Sequence, residues 1–256
     1  MNRILWWLLL CPFLMASQEP KVLFVSIPKS GTHLLWKAIE KMTQSQITWI
    51  GLSQIERFDP ERNLLAPWAI TGIHLGPEAE HARRDFSTCY NKILILRDPR
   101  DVLVSFLHHI RAGKVWKGCP FFDSEKFFSL SHDEQLREIL LFPDDCLSPK
   151  SSFALAAEWL KDPTVWVCRF EDLVGERGGG SREAQCETLR QLGLRLGLSL
   201  SEEEAHFLSE DLYGGTWTYR QGRIGSWREE FSEENQKLFQ DLFGQLALDL
   251  GYSPGD

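Results

Sequence analysis

The sequence predicts an α/β fold, a three-layer sandwich in which helices cover both faces of a central parallel sheet. Three observations carry the prediction. Short apolar runs near 21–27, 69–73, 91–96 and 164–169 alternate with helix-like stretches near 32–43, 99–112, 151–161 and 183–197, the order of repeated βα units. The first run, Val22-Leu23-Phe24-Val25, stops at a short polar turn and restarts as Leu34-Leu35-Trp36-Lys37-Ala38-Ile39. A chain of 256 residues, 43% apolar and 12% aromatic, can bury one full core.

The N-terminus stands apart. Met1-Asn2-Arg3, the apolar stretch Ile4 to Met15 and the small-residue exit Ala16-Ser17-Gln18 read as a secretory signal; the alternative is an extra amphipathic or buried terminal segment. The apolar run is too short for an ordinary spanning helix, so any membrane contact is expected only through this segment. Residues 1–17 are therefore set apart from a domain covering 18–256. An exported protein follows if the segment is a signal, a cytoplasmic one if it is not.

Between strand and helix lie Ser26-Ile27-Pro28-Lys29-Ser30-Gly31-Thr32. A strand that ends at such a turn and resumes as a helix aims free backbone N–H groups, and the positive end of a helix dipole, at one point. A phosphate or a sulfate fits there. The nucleoside-triphosphate loop places Lys after its second Gly. Here Lys29 precedes Gly31, and Ser26 occupies the position of that loop's first glycine.

The run Asn91 to Leu96 is a buried strand, after which Pro99 suits a helix's first turn and Val102, Leu103 and Phe106 continue it. Arg97 can fork onto a phosphate, with Ser105 facing it two turns along. The other reading pairs Arg97 with Asp98 or Asp101 in a surface cluster. Thr164-Val165-Trp166-Val167-Cys168 is a further strand, followed by Arg169-Phe170-Glu171-Asp172-Leu173; Gly175 to Ser181 is most simply a flexible loop. The two glycines of Tyr219-Arg220-Gln221-Gly222-Arg223-Ile224-Gly225-Ser226-Trp227-Arg228 let a loop fold tightly over a ligand. The closing helix, Ser232 to Leu250, carries Leu238, Phe239, Leu242, Phe243, Leu246 and Leu250 on one core-facing stripe.

Together these segments resemble the sulfotransferases, from about Lys21 to Tyr252. Pro28-Lys29-Ser30-Gly31-Thr32 is similar to the family's 5'-phosphosulfate loop, Arg97 with Ser105 to its 3'-phosphate pair, and Arg220 to Trp227 to its Arg-Lys-Gly loop with Gly-x-x-Gly-x-Trp, Gln221 standing in for the lysine. Arg-Phe-Glu-Asp-Leu resembles a Tyr-Glu-Asp-Leu element, with Phe170 in place of the tyrosine. The resemblance implies a P-loop-like sandwich and transfer of a sulfuryl group from 3'-phosphoadenosine 5'-phosphosulfate (PAPS) without a bound metal. It implies donor contacts at Lys29, Ser30, Gly31, Thr32, His33, Arg97, Ser105, Arg220, Gln221 and Gly222. Lys29 would also act catalytically, stabilising charge on the bridging oxygen.

For the base that takes the acceptor's proton, His74 in Thr71-Gly72-Ile73-His74-Leu75 is expected: it sits at a strand exit and resembles the family's His-Leu-Pro element. Gly72 stands where many cytosolic members have lysine. His33, His81, His108 and His109 are its rivals. The acceptor, a small molecule or glycan with a hydroxyl or amine, cannot be read, nor can the oligomeric state. A net charge of −8 argues against a nucleic-acid partner. The six cysteines show no metal spacing. Two other classes stay open, a P-loop kinase and a noncatalytic nucleotide-binding interaction protein.

Overall fold

Strand β1 (Val22–Ser26) lies at the centre of a sheet in which every pairing is parallel. The computed structural model describes residues 21–50, 70–74, 90–113, 123–142, 148–215 and 220–253. β1 pairs on one side with β3 (Ile70–His74), which in turn takes the edge strand β2 (Thr48–Ile50). On the other side come β4 (Asn91–Leu96) and β5 (Val165–Arg169), for a strand order of β2-β3-β1-β4-β5.

Alternation along the strands divides the interior into two layers. Leu23, Val25, Leu94 and Leu96 point into a core closed by α2 (Pro99–Arg111), α4 (His132–Leu140), α5 (Pro149–Trp159) and α9 (Glu233–Asp249), with α3 (Ser124–Ser129) packed beside α4. Val22, Phe24, Ile93 and Ile95 point the other way, onto α1 (Thr32–Thr43), the short α6 (Phe170–Leu173) and α7 (Arg182–Arg195), with α8 (Glu202–Glu210) packed on α7. This is the three-layer α/β sandwich with a parallel sheet that the sequence predicts. The closing helix buries Phe239, Phe243 and Leu250, while Leu238, Leu242 and Leu246 pack partly buried against the same core.

The sequence pattern locates β1, β3, β4, β5, α1, α2, α5, α7 and α9 to within two residues at most ends. It misses β2, α3, α4 and α8. β2 is only three residues long. α4 and α8 are announced instead by capping boxes, Ser131 with Glu134 and Ser201 with Glu204, in which each side chain accepts the other residue's backbone N–H. Gly175 to Ser181 is no free loop: it contains a 3-10 turn at Glu176–Gly178, and Gly178 O accepts the Ile224 N–H at 2.9 Å. Of the cysteines, Cys168 is buried in β5 and Cys186 partly buried in α7; burial pushes the Cys168 thiol well above its usual range. Cys11, Cys89, Cys119 and Cys146, with Trp68, Trp116, His81, Arg83, Arg84 and residues 1–17, lie outside the described residues.

The register brings the functional candidates together. Ser26 pairs with His74, so β1 and β3 end side by side, and β4 ends one residue before Arg97. In an open parallel sheet the crevice beyond the strands' carboxyl ends is where ligands bind.

Candidate functional site

The loop after β1 is built so that α1 begins with its amides exposed to a ligand. Gly31 is the N-cap at φ 105° and supplies no side-chain hydrogen bond to the helix start. α2, α3, α4, α5, α7, α8 and α9 all have an Asp or Ser side chain capping theirs. The Thr32 and His33 amides, the first two of α1, have no acceptor within the helix, while Leu34 N already donates to Gly31 O at 2.9 Å. A Cβ on Gly31 would lie 2.6 Å from Phe170 Cδ2, so both the left-handed backbone and the ring demand glycine. Lys29 is itself left-handed, at φ 75°. Its Nζ lies 3.4 Å from His109 Nδ1.

Ser30 serves the loop rather than the cavity. Its hydroxyl lies 2.7 Å from Ile27 O and 3.2 Å from Ile95 O, and its N–H donates to Ile27 O at 3.0 Å. The side chain is fully buried. In this arrangement Ser30 shapes the cradle from within, its hydroxyl and N–H both turned to backbone carbonyls.

His74 stands at the end of β3 with Nδ1 2.9 Å from Ser26 Oγ, and Thr32 Oγ1 donates to that same hydroxyl at 3.0 Å. Burial, opposed by a hydrogen bond to the Ser26 backbone and assisted by the positive charges of His33 and Lys29, lowers its pKa to about 4. A ring whose Nδ1–H is directed at Ser26 keeps the Nε2 lone pair for a proton acceptor's role. Trp49 of β2 packs edge-on against His74, with ring centroids 4.7 Å apart, and stacks on Trp36 at 5.4 Å. The same aromatics explain Gly72: a Cβ there would lie 2.5 Å from Phe24 Cζ and 2.7 Å from Trp49 Cε3, leaving no room for a lysine.

Arg97 is buried, 7% exposed, which excludes the surface cluster. Its guanidinium carbon lies over the Phe170 ring, 4.3 Å from the centroid, one terminal nitrogen donates to Arg223 O at 2.7 Å, and Asp101 is 3.7 Å away. Its Nε has no partner among the described residues. An unsatisfied donor on a buried cation is costly, and a guanidinium so desolvated favours an anion beside its more accessible end. Phe170 thus packs between Gly31 and Arg97. Ser105 is partly exposed on α2, two turns beyond Arg97.

The loop 220–228 is tied down by Asp101, which the sequence reading weighed only as a partner of Arg97, while Glu171 fixes the start of α2 and Tyr252. Asp101, fully buried, accepts from Gly225 N (2.8 Å), Ser226 Oγ (2.8 Å) and Trp227 N (3.0 Å). Glu171 accepts from Asp98 N at 2.9 Å and from Tyr252 OH at 3.0 Å, and burial raises its pKa. Gln221 presents its carbonyl to Tyr213 OH at 2.6 Å, Gly222 adopts φ 58°, and Arg220 reaches Glu230. Asp101 lies 124 residues from Gly225 in sequence, so no local spacing could have revealed the pairing. We expect Asp101→Asn to lower stability by about 3 kcal/mol, because whichever way the amide is turned its Nδ2 donor must face at least one backbone N–H that a carboxylate oxygen now accepts from, and the buried charge is lost. Calorimetry should then show a Tm lower by roughly 6–12 °C for a domain of this size.

Among the described residues, no group of three or more His, Cys, Asp or Glu is placed to hold a metal ion, and no helix is long and apolar enough to cross a membrane.

No family model matches the chain. A curated relative, Sulfotransferase 6B1 of Danio rerio, is 24% identical over 257 aligned positions that cover 89% of this chain and 78% of the relative. Among solved structures, mouse sulfotransferase SULT7A1 complexed with PAP superposes with a TM-score of 0.67 at 20% identity, covering 91% of this chain and 86% of that one. Retinol dehydratase in a complex with retinol and PAP superposes with a TM-score of 0.58 at 19% identity, covering 89% and 81%. At those identities the two structures establish a common fold.

Proposed function

We propose that this member of the sulfotransferase family, a PAPS-dependent enzyme, transfers the sulfuryl group of that donor to a hydroxyl or amine of an acceptor, with His74 as general base. Adenosine 3',5'-bisphosphate would remain as product. The observation that carries the reading is the pairing of an uncapped helix start with a buried, incompletely satisfied guanidinium across one ring, Phe170. Two anion-seeking groups so placed suit a ligand with phosphate at both ends, as a nucleoside 3',5'-bisphosphate has.

Each residue then has a distinct task. Arg97 takes the 3'-phosphate, with Ser105 and the loop Arg220-Gln221-Gly222 closing on the same end. The Thr32 and His33 amides hold the oxygens that do not react. Lys29 faces the bridging oxygen, where charge grows as the sulfur–oxygen bond breaks and its electron pair stays on the 5'-phosphate; a cation there acts mainly in the transition state. The acceptor atom bonds to sulfur as its proton passes to His74 Nε2. Aromatic packing of Trp49 and Trp36 beside His74 favours a small-molecule acceptor with apolar surface. A glycan is the broader alternative.

The direct test is calorimetric titration of the folded protein with adenosine 3',5'-bisphosphate, followed by transfer of labelled sulfate from PAPS to a panel of phenols, alcohols, amines and glycans. Saturable binding of the bisphosphate and label in at least one acceptor are expected. Failure to bind the bisphosphate would overturn the donor assignment; label moved only from a nucleoside triphosphate's γ-phosphate would make the chain a kinase.

A further inference from the structure

Glu230, just beyond the 3-10 turn Ser226–Glu229, gathers side chains from three other segments. Its carboxylate is only 15% exposed. His108 Nε2 of α2 lies 2.9 and 2.8 Å from its two oxygens, His132 Nε2 at the start of α4 lies 3.1 Å from Oε2, and the Arg220 guanidinium lies 3.4–3.5 Å from Oε1. Arg111 NH1 meets His132 Nδ1 at 2.5 Å. A guanidinium can only donate, so His132 Nδ1 must be the acceptor and its proton sits on Nε2, directed at Glu230. Burial lowers the His108 pKa, aided by Arg220 and Arg111 and opposed by Glu230. Both imidazoles thus present Nε2 to Glu230, and among the described residues Arg220 supplies the guanidinium that meets the same carboxylate.

Building on the donor reading above, we propose that Glu230 is a positioning residue for donor recognition, holding Arg220 in the orientation that meets the 3'-phosphate. Arg220 sits on a loop with its side chain 34% exposed, where a long arginine would otherwise wander among rotamers. The contact to Glu230 is longer than a strong charged hydrogen bond, and it engages only part of a five-donor fork. Arg220 is therefore oriented without being saturated. Its charge is felt at buried Arg97, where it opposes the guanidinium's own charge. Two cations held toward one space form an anion site whose geometry is fixed before the ligand arrives.

The test uses the full chain and two titrants, adenosine 3',5'-bisphosphate and adenosine 5'-monophosphate. Glu230→Ala should weaken the bisphosphate by about 3- to 10-fold, the range set by freeing one rotamer-rich side chain. It should leave the monophosphate unchanged, raise the KM for PAPS and leave kcat within about twofold. Glu230→Gln, which keeps one acceptor oxygen for Arg220, should recover much of the loss. In an Arg220→Ala background Glu230→Ala should cost nothing more. Equal weakening of both nucleotides would mean a structural clamp, and tighter bisphosphate binding a competitor; either result overturns the proposal, as does an undiminished effect in the Arg220→Ala background. If Glu230→Ala does not fold, the Gln variant and its Arg220→Ala double carry the same comparison. A wild-type protein that ignores the bisphosphate refutes the donor reading itself, which keeps the two failures distinct.

Discussion

Replacing His74 with alanine is expected to slow sulfuryl transfer by at least ~100-fold while the affinity for adenosine 3',5'-bisphosphate stays as it was. The two effects separate because the ring touches Ser26 and Trp49, whereas the nucleotide's phosphates are assigned to Arg97 and the start of α1. The pH profile gives a second, independent reading. With its pKa lowered to about 4, His74 is neutral and able to accept a proton throughout the range in which an ordinary histidine, near 6.5, would be charging. Its kcat/KM should accordingly hold through pH 6 and fall only on approach to about 4, because that limb reports the free enzyme. Bound donor brings negative charge beside the ring, so the corresponding limb in kcat should lie at higher pH. The folded state carries the matching penalty. Between pH 6.5 and about 4 the unfolded chain binds a proton at this position that the native chain refuses, so stability rises with pH across that window and is lost as pH falls through it. His74→Gln should flatten that slope. Turnover equal to wild type in either variant would exclude His74 as the base.

How the sequence came to show so much of this, and where it stopped, follows from which features are local. β1, the Lys29 to Thr32 turn and α1 form one continuous stretch in which apolar period, glycine and helix start all coincide, so strand, cradle and helix could be read together. Arg97 was visible because it ends a strand just before a proline that opens a helix. The inward turn of Ser30 was not visible, since it depends on the Ile95 carbonyl, which β4 brings alongside from 65 residues away. The same holds for Asp101, whose three partners arrive on a distant loop, and for Ser26, which gains its role only because parallel pairing sets it opposite His74. Gly72 looked like a departure from the family pattern. In the fold it is required by Phe24 and Trp49, which pack where a side chain would go. The strand pattern could not show β2, and without β2 there was no way to bring Trp49 onto His74.

Arg97→Met should separate binding from stability more sharply than any other substitution. Removing half of a buried ion pair is ordinarily destabilising by about 3–5 kcal/mol, because the remaining charge is stranded. Here the remaining charge is not stranded: Asp101 still accepts from Gly225 N, Ser226 Oγ and Trp227 N, and its distance to Arg97 is already 3.7 Å. The arginine's own Nε is unsatisfied, and an unbranched apolar side chain can keep the packing over Phe170. The loss of the donor to Arg223 O is the main structural cost, of about 1 kcal/mol. Stability should therefore change by no more than about 2 kcal/mol, a Tm shift of roughly 4–8 °C. The bisphosphate, by contrast, loses charge-assisted hydrogen bonds from a desolvated guanidinium, each worth about 1.5–3 kcal/mol, and its affinity should fall by about 100-fold or more. Adenosine 5'-monophosphate, which has nothing to offer Arg97, should bind the variant and the wild type alike. If the variant melts near the wild-type temperature and still takes up the bisphosphate with undiminished affinity, Arg97 does not hold the 3'-phosphate, and its buried, incompletely satisfied guanidinium needs another explanation.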